Sequence, residues 1–222
     1  MNRNKCSRCG LVNSTADLIC RRCGDSLIDK PGLESGDEEV KPKRGIVRRL
    51  IWIFSTTLIL LFVWFLSLLA SSDRLGFDRR KTVADAVMVL EQKGFGKEAF
   101  VFRNLVTYRE SDNWWNRSVG HHDAYAATNF PFEIVTLYPQ FFDKTVDDTD
   151  RAAILLHEAS HLFGAGEDSA LEEVWRSKQQ LGWTAQKYAA QSDAWNSTRF
   201  LTRNRVPQLF KCGSDGQSDC FQ

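Results

Sequence analysis

The hydropathy pattern is dominated by one run, Leu50 to Ala70, LIWIFSTTLILLFVWFLSLLA, 21 residues without a charge. At a helical rise of 1.5 Å per residue this run is about 31 Å long, close to a hydrocarbon core of about 30 Å. A buried core helix would carry a polar face, whereas only scattered Ser and Thr interrupt this one. A signal peptide has a shorter apolar region and lies at the very start of a chain. The pattern predicts one transmembrane helix over residues 50–70.

Beyond it the periodicity becomes amphipathic. Val83, Val87 and Leu90 share a helical face and Gly94 follows, which predicts a helix over Arg80 to Lys93. A second helix is expected over Lys97 to Tyr108. The polar stretch SDNWWNRSVGHHD reads as irregular, and Phe132 to Tyr138 reads as a strand closed by Pro139. Asp147, Asp148 and Asp150 precede RAAILLHEASHLFG, the signature of a helix with acidic residues at its start and Gly164 at its end. Further helices are expected over Ser169–Leu181 and Thr184–Thr198. Residues 73–222 therefore read as one domain, mainly α with a small β element, an α+β class. Residues 25–49, polar, Gly-containing and increasingly basic, read as a flexible linker.

Composition adds little to this outline. The 222 residues carry a net charge of +1, which points neither to a nucleic-acid partner nor to an acidic tail. The six cysteines say more. Cys6-x-x-Cys9 and Cys20-x-x-Cys23, each pair followed by Gly, have the spacing of two knuckles that offer four thiolates to one structural zinc ion, with two disulfides as the alternative. Residues 1–24 thus read as a separate small zinc ribbon, similar to those at the N-termini of many bacterial membrane proteins. Its arginines are offset by Asp17 and Asp25, so a structural module or a docking site for a protein partner is expected rather than nucleic-acid binding. Cys212 and Cys220 flank a Gly- and Ser-containing loop suited to a disulfide, worth roughly 2–3 kcal/mol by loop closure. Thiolates need a reducing compartment and a disulfide an oxidising one, which places the ribbon in the cytoplasm and residues 73–222 outside the cell membrane. The basic flank from Lys41 to Arg49 agrees with that orientation.

The chemistry is concentrated in His157-Glu-Ala-Ser-His161. Histidines four apart share a helix face and can bind one zinc ion, while Glu158, one step round, reaches the water such an ion holds. Chance occurrence of this pattern in a chain of this composition is on the order of 0.004. A catalytic zinc takes three protein ligands and a water. The candidates for the third are Glu167, Asp168, Glu172 and Glu173. The pattern H-E-x-x-H-x-x-G-x-x-H holds through Gly164 but ends on Glu167. Ser169-Ala-Leu-Glu172 reads as a capping box, which occupies Glu172 and leaves Asp168 free, unless Asp168 is itself the N-cap.

Three pieces of the chain, IVTLYPQFFDKTVDD, DRAAILLHEASHLFG and GED with a later SDAWN, resemble the deuterolysin-like aspzincin peptidases over about sixty residues. The resemblance implies a zincin-like fold, a zinc-dependent endopeptidase activity with Glu158 as general base, and Asp168 as third zinc ligand after His157 and His161. Where that family has an oxyanion-binding Tyr, three residues after its Asp, this chain has Leu171. Tyr125, Tyr138 and Tyr188 are possible substitutes.

His121 and His122 are either cleft residues or a solvated pair, and Trp114 and Trp115 either line a substrate groove or pack in the core. The Phe132–Tyr138 strand is a candidate edge for an extended substrate, with Glu133 exposed beside it. The expected function is a membrane-anchored zinc metallopeptidase acting on peptide or protein. Alternatives are a catalytically silent anchored scaffold that binds a partner, and a zinc hydrolase of a non-peptide amide.

Overall fold

Two cysteine knuckles shape the first segment of the computed structural model, which describes residues 4–27, 44–119, 124–213 and 218–221. Strands β1 (Asn4–Lys5) and β2 (Val12–Asn13) pair antiparallel around the first knuckle. Gly10 and Gly24 close the knuckles at φ 73° and 72°, a conformation a side chain disfavours, and their N–H groups donate to the carbonyls of Cys6 and Cys20. The central part of the expected linker, residues 28–43, lies outside the described residues.

Helix α1 runs from Arg44 to Ala70, so its start takes in residues 44–49, which the sequence reading assigned to the linker. Arg44, Arg48 and Arg49 do not interrupt it because Arg is a good helix former with no steric objection to the helix interior. Over Gly45–Ala70 this helix is long and apolar enough to cross a membrane. The chain forms two compact units, Met1–Phe54 and Ser55–Gln222, and α1 runs from one into the other.

The second unit is mainly helical. Helix α2 (Phe77–Gln92) buries Val83, Ala86, Val87 and Leu90, the face its periodicity announced, and α3 (Gly96–Asn104) follows after Gly94 at φ 89°. The predicted extension of α3 to Tyr108 does not occur. Thr107–Arg109 instead form strand β3, whose backbone pairs parallel with β5 (Ile134–Leu137). Short helix α4 (Trp114–Val119) and strand β4 (Ala126–Asn129) come between them. The sheet order is β3-β5-β4, with β4 antiparallel to β5 and at an edge. The strand expected from Phe132 is therefore shorter, and it is central and buried at every position rather than an edge. Behind it, Asn113 donates to Asn129, Asn129 to Asn116, and Asn116 to Thr136, all buried, so each amide placed in the interior finds a partner.

After the single turn of α5 (Pro139–Asp143), helix α6 (Asp148–Leu162) runs through the middle of the domain, against α2, α3, β4 and the next long helix, α7 (Glu167–Leu181). Its burial on nearly every face follows from the apolar run Ala152–Leu156. Asp147 caps it, accepting from the N–H groups of Thr149 and Asp150, a contact worth about 1 kcal/mol. Asp150 is fully buried and accepts from Trp183 Nε1 at 2.7 Å, Ser192 Oγ at 2.8 Å and the Val146 N–H at 3.0 Å. Burial raises its pKa despite these three donors.

The predicted helix Thr184–Thr198 is split into α8 (Ala185–Tyr188) and α9 (Asp193–Arg205). Ser192 makes the break, capping α9 through the N–H of Trp195 while its hydroxyl binds Asp150. Trp175, Trp183 and Trp195 fill the space between α6, α7 and α9, with ring centroids 4.8 and 5.2 Å apart in successive pairs. A 3-10 turn, Pro207–Phe210, follows, and Cys212 is disulfide-bonded to Cys220 as the spacing suggested. The end of that loop and the residue after it are held by Lys178, which is buried and donates to Asp219 at 2.7 Å and to the Phe221 carbonyl at 2.6 Å.

Candidate metal centre

His157 and His161 lie one turn apart in the last part of α6, and their Nε2 atoms face each other at 3.1 Å. The Nδ1 of His161 donates to the Ala165 carbonyl at 2.9 Å, which leaves its Nε2 lone pair directed at the shared point. Gly164, at φ 83°, reverses the chain after α6, and Gly166 caps α7, whose first residue is Glu167. That tight connection lays the Glu167 carboxylate across both imidazoles, 3.5 Å from His157 Nε2 and 3.3 Å from His161 Nε2.

The carboxylate beside the two histidines is thus that of Glu167 and not that of Asp168. The helix begins two residues before Ser169, so the expected capping box is absent, and Glu172 lies a turn further on, paired with Arg176 at 2.6 Å. Asp168, expected to complete the triad, points to solvent with 66% of its side chain exposed and pairs with Arg205 at 3.2 Å. Glu173 accepts from Ser177. Of the four candidates only Glu167 joins the two histidines, and His157, His161 and Glu167 form a group that could hold a metal ion.

The donor set fits such an ion. Separations of 3.1–3.5 Å are close to the edge of a tetrahedral shell, about 3.3 Å for ligand bonds of about 2.0–2.1 Å. The electrostatics point the same way. The hydrogen bond that Glu167 accepts raises the His161 pKa to about 9 against the opposing effect of burial, and the two imidazoles hold Glu167 well below the usual carboxylate range. A carboxylate and two imidazole nitrogens turned to one point stabilise positive charge there, whether a proton or a divalent cation carries it.

Glu158 is buried and takes no part in that triangle. Its Oε2 accepts from Thr128 Oγ1, on edge strand β4, at 2.6 Å. A cavity of about 520 Å³ opens over these groups, lined by β4, by Tyr125 and Phe130, and by an apolar wall of Ile154, Leu171 and Val174. Of the three tyrosines weighed as oxyanion partners, Tyr138 donates to Asp112 and Tyr188 to Asp147, while Tyr125 lines the cavity. Burial raises the Tyr125 hydroxyl pKa to about 12, so it stays a proton donor. Sequence reasoning missed both Thr128 and β4. The segment Ala126–Asn129, AATN, has no apolar alternation to announce a strand, although its residues are buried alternately in the fold. His121 and His122 lie outside the described residues.

The four N-terminal cysteines form the second group that could hold a metal ion. Cys6 and Cys23 sulfurs are 3.6 Å apart and those of Cys9 and Cys20 3.5 Å, too far for disulfides and near the roughly 3.8 Å edge of a thiolate shell with bonds of about 2.3 Å. Backbone N–H groups of Cys23 and Arg22 lower the Cys20 pKa to about 6, whereas burial and the neighbouring sulfurs of Cys9, Cys6 and Cys20 raise that of Cys23 to about 12, so Cys20 becomes a thiolate before Cys23.

The chain matches no family model, no curated protein and no solved structure.

Proposed function

We propose that residues 73–222 form a zinc-dependent peptidase with a zincin-like site, anchored in a membrane by α1, with His157, His161 and Glu167 as zinc ligands and Glu158 as general base. The observation that carries this reading is the joint placement of two facing imidazoles, a carboxylate across them and a second, separately held carboxylate at the head of one cavity. The reading keeps the chemistry of the aspzincin resemblance and moves the acidic ligand from Asp168 to Glu167, on the helix that follows, as in gluzincin-type sites.

Zinc at this centre would supply an acidified water and a Lewis acid for a carbonyl oxygen. The chain's own residues do the rest. Oε2 of Glu158 stays with Thr128, and its other oxygen is free to take a proton from the attacking water and pass it to the departing amine nitrogen. Tyr125 can donate to the oxygen that gains charge. The free edge of β4 can align an extended peptide, with Ile154, Leu171 and Val174 receiving an apolar side chain. The four-cysteine ribbon takes a second, structural zinc and serves as a cytoplasmic docking module, with the catalytic domain outside.

The test pairs metal analysis with hydrolysis. The full chain should hold two zinc ions, one at each group. Glu158→Gln should keep both while cleavage of casein or of a peptide library falls by about 10²–10⁴-fold. A chain that holds zinc at His157 and His161 and cuts nothing would instead be the anchored scaffold that Leu171, in place of the family's Tyr, suggests.

A further inference from the structure

The end of α1 and the catalytic domain are joined by side chains as well as by sequence. Trp114 Nε1 donates to Ser67 Oγ at 3.0 Å, its backbone N–H to Ser71 Oγ at 3.1 Å, and Arg117 to the Ser71 carbonyl at 2.6 Å. Asp73 accepts from Ser111, whose hydroxyl in turn accepts from the Asp73 N–H. Contacts on both sides of the junction leave it no free swivel.

This junction brings aromatic residues of the domain down beside α1. Trp64 packs edge-on against Trp115 at 5.8 Å and Phe132 at 5.4 Å, and Phe132 also meets Phe65 at 6.0 Å. Trp64 lies six residues before the end of α1 at Ala70, about 9 Å back along the helix axis. If residues 50–70 fill the hydrocarbon core, as the membrane-anchor reading holds, Ala70 lies at its boundary with the headgroups and Trp64 inside its outer third. Whatever surrounds α1 at Trp64 surrounds these side chains too.

They are fitted to that medium and poorly fitted to water. Trp114 and Trp115 are 43% and 44% exposed, and Phe130, in the same turn as Phe132, is 61% exposed. Exposed Trp rings beside a membrane helix are the composition of an interfacial belt, and the Trp114 indole N–H is satisfied there by Ser67. These two tryptophans therefore neither line the groove nor fill the core, the two uses their sequence suggested. Phe130 also lines the cavity over the candidate metal centre. One four-residue turn between β4 and β5 thus touches α1 at one aromatic residue and the cleft at another.

We infer that the mouth of the cleft sits at the boundary between the lipid headgroups and the outer hydrocarbon, held there by Trp114, Trp115, Phe130 and Phe132, and that the polypeptide it receives is the membrane-proximal stretch of another membrane-bound protein. A peptide running along the free edge of β4 passes Phe130 within a few residues of the bilayer. Anchored substrate is thereby concentrated at the mouth, as in any intramolecular encounter with a short tether. The substrate part of this inference rests on the peptidase reading, and the location does not.

Two measurements separate them. The full chain is reconstituted in phosphatidylcholine–phosphatidylglycerol vesicles, and the emission that Phe130→Trp adds over wild type is recorded. Lipids brominated on the carbons nearest the headgroup should quench the added emission by roughly half, as for an interfacial indole. Added emission quenched by aqueous iodide and untouched by brominated lipid overturns the location. Next, one fluorogenic library peptide that the protein cuts is offered free and on a lipid anchor with a short spacer. The anchored form should be cut at least about tenfold faster. Trp115→Ser should lower the anchored-peptide rate severalfold and leave the free-peptide rate unchanged, whereas a fall in both rates alike would make Trp115 a structural residue and overturn its part in holding the mouth. Equal rates for both forms in wild type overturn the substrate class. If no peptide is cut while brominated lipid still quenches, the peptidase reading fails and the location stands.

Discussion

The hydroxyl of Thr128 donates to Oε2 of Glu158 at 2.6 Å, linking the edge strand β4 to the helix that carries both histidines. Glu158 is buried, so an unheld carboxylate there would be free to rotate toward any donor within reach. The bond fixes one oxygen and leaves the other facing the cavity. Thr128→Val should lower kcat by about 10–100-fold with little change in KM or zinc content, as removal of a partner behind a functional group usually does. Thr128→Ser restores the hydroxyl and should restore most of the rate. Loss of kcat in both variants alike would make Thr128 a packing residue only.

The third ligand is decided by four single variants, with zinc content and melting temperature measured side by side. Glu167→Ala should shed the catalytic zinc and abolish cleavage. Asp168→Ala removes an exposed pair with Arg205 and should leave zinc in place with a stability change within about 1 kcal/mol. Glu172→Ala and Glu173→Ala should likewise retain the metal. Zinc retained in Glu167→Ala and lost in Asp168→Ala would return the site to the aspzincin pattern.

The pH dependence of the metal-stripped full chain follows from the two shifted groups. His161 is raised from 6.5 to about 9 by the Glu167 hydrogen bond, so its contribution is fully present below about pH 6.5 and is lost as pH rises through about 9. Glu167 is lowered, so its contribution is present above its ordinary value of 4.5 and is lost as the medium becomes strongly acidic. Melting temperature should therefore fall on the alkaline side between those two histidine values. Zinc affinity should change in the opposite sense, rising with pH over that range, because the ion and the proton compete for the same nitrogen. Glu167→Gln should remove the alkaline loss of stability in stripped protein.

Topology is checked by thiol labelling of intact cells or spheroplasts. Cys212 and Cys220 should be blocked until reduced, and the four ribbon cysteines should react only after permeabilisation and chelation. Protease added outside should reach residues 73–222 and spare the ribbon. Free Cys212 and Cys220 in native protein would place the domain on the cytoplasmic side.

Several features were legible because each is set by neighbours within a turn or two of chain. Apolar residues from Leu50 to Ala70 make a helix with no polar face wherever the rest of the chain goes. The spacing of His157 and His161 puts both on one face of any helix that forms, and the Cys pairs close their own knuckles through Gly10 and Gly24. The mainly helical class with a small sheet followed from the same local periodicities.

The parts that were misread depend on contacts distant in sequence. Thr107 and Tyr108, expected at the end of a helix, form β3 with Arg109 because β5 offers their backbone a partner. Which of four neighbouring carboxylates reaches the histidines turned on whether α7 begins at Glu167 or two residues later, and each step rotates a side chain by about 100°. The sequence alone determined the membrane-length helix, the four clustered thiols, and two imidazoles with a carboxylate between them in sequence. Only the tertiary structure chose Glu167 over Asp168, brought Thr128 to Glu158 and laid Phe132 against Trp64. Those choices depend on how α6, α7, β4 and α1 pack, and packing sums many long-range contacts that no local pattern carries.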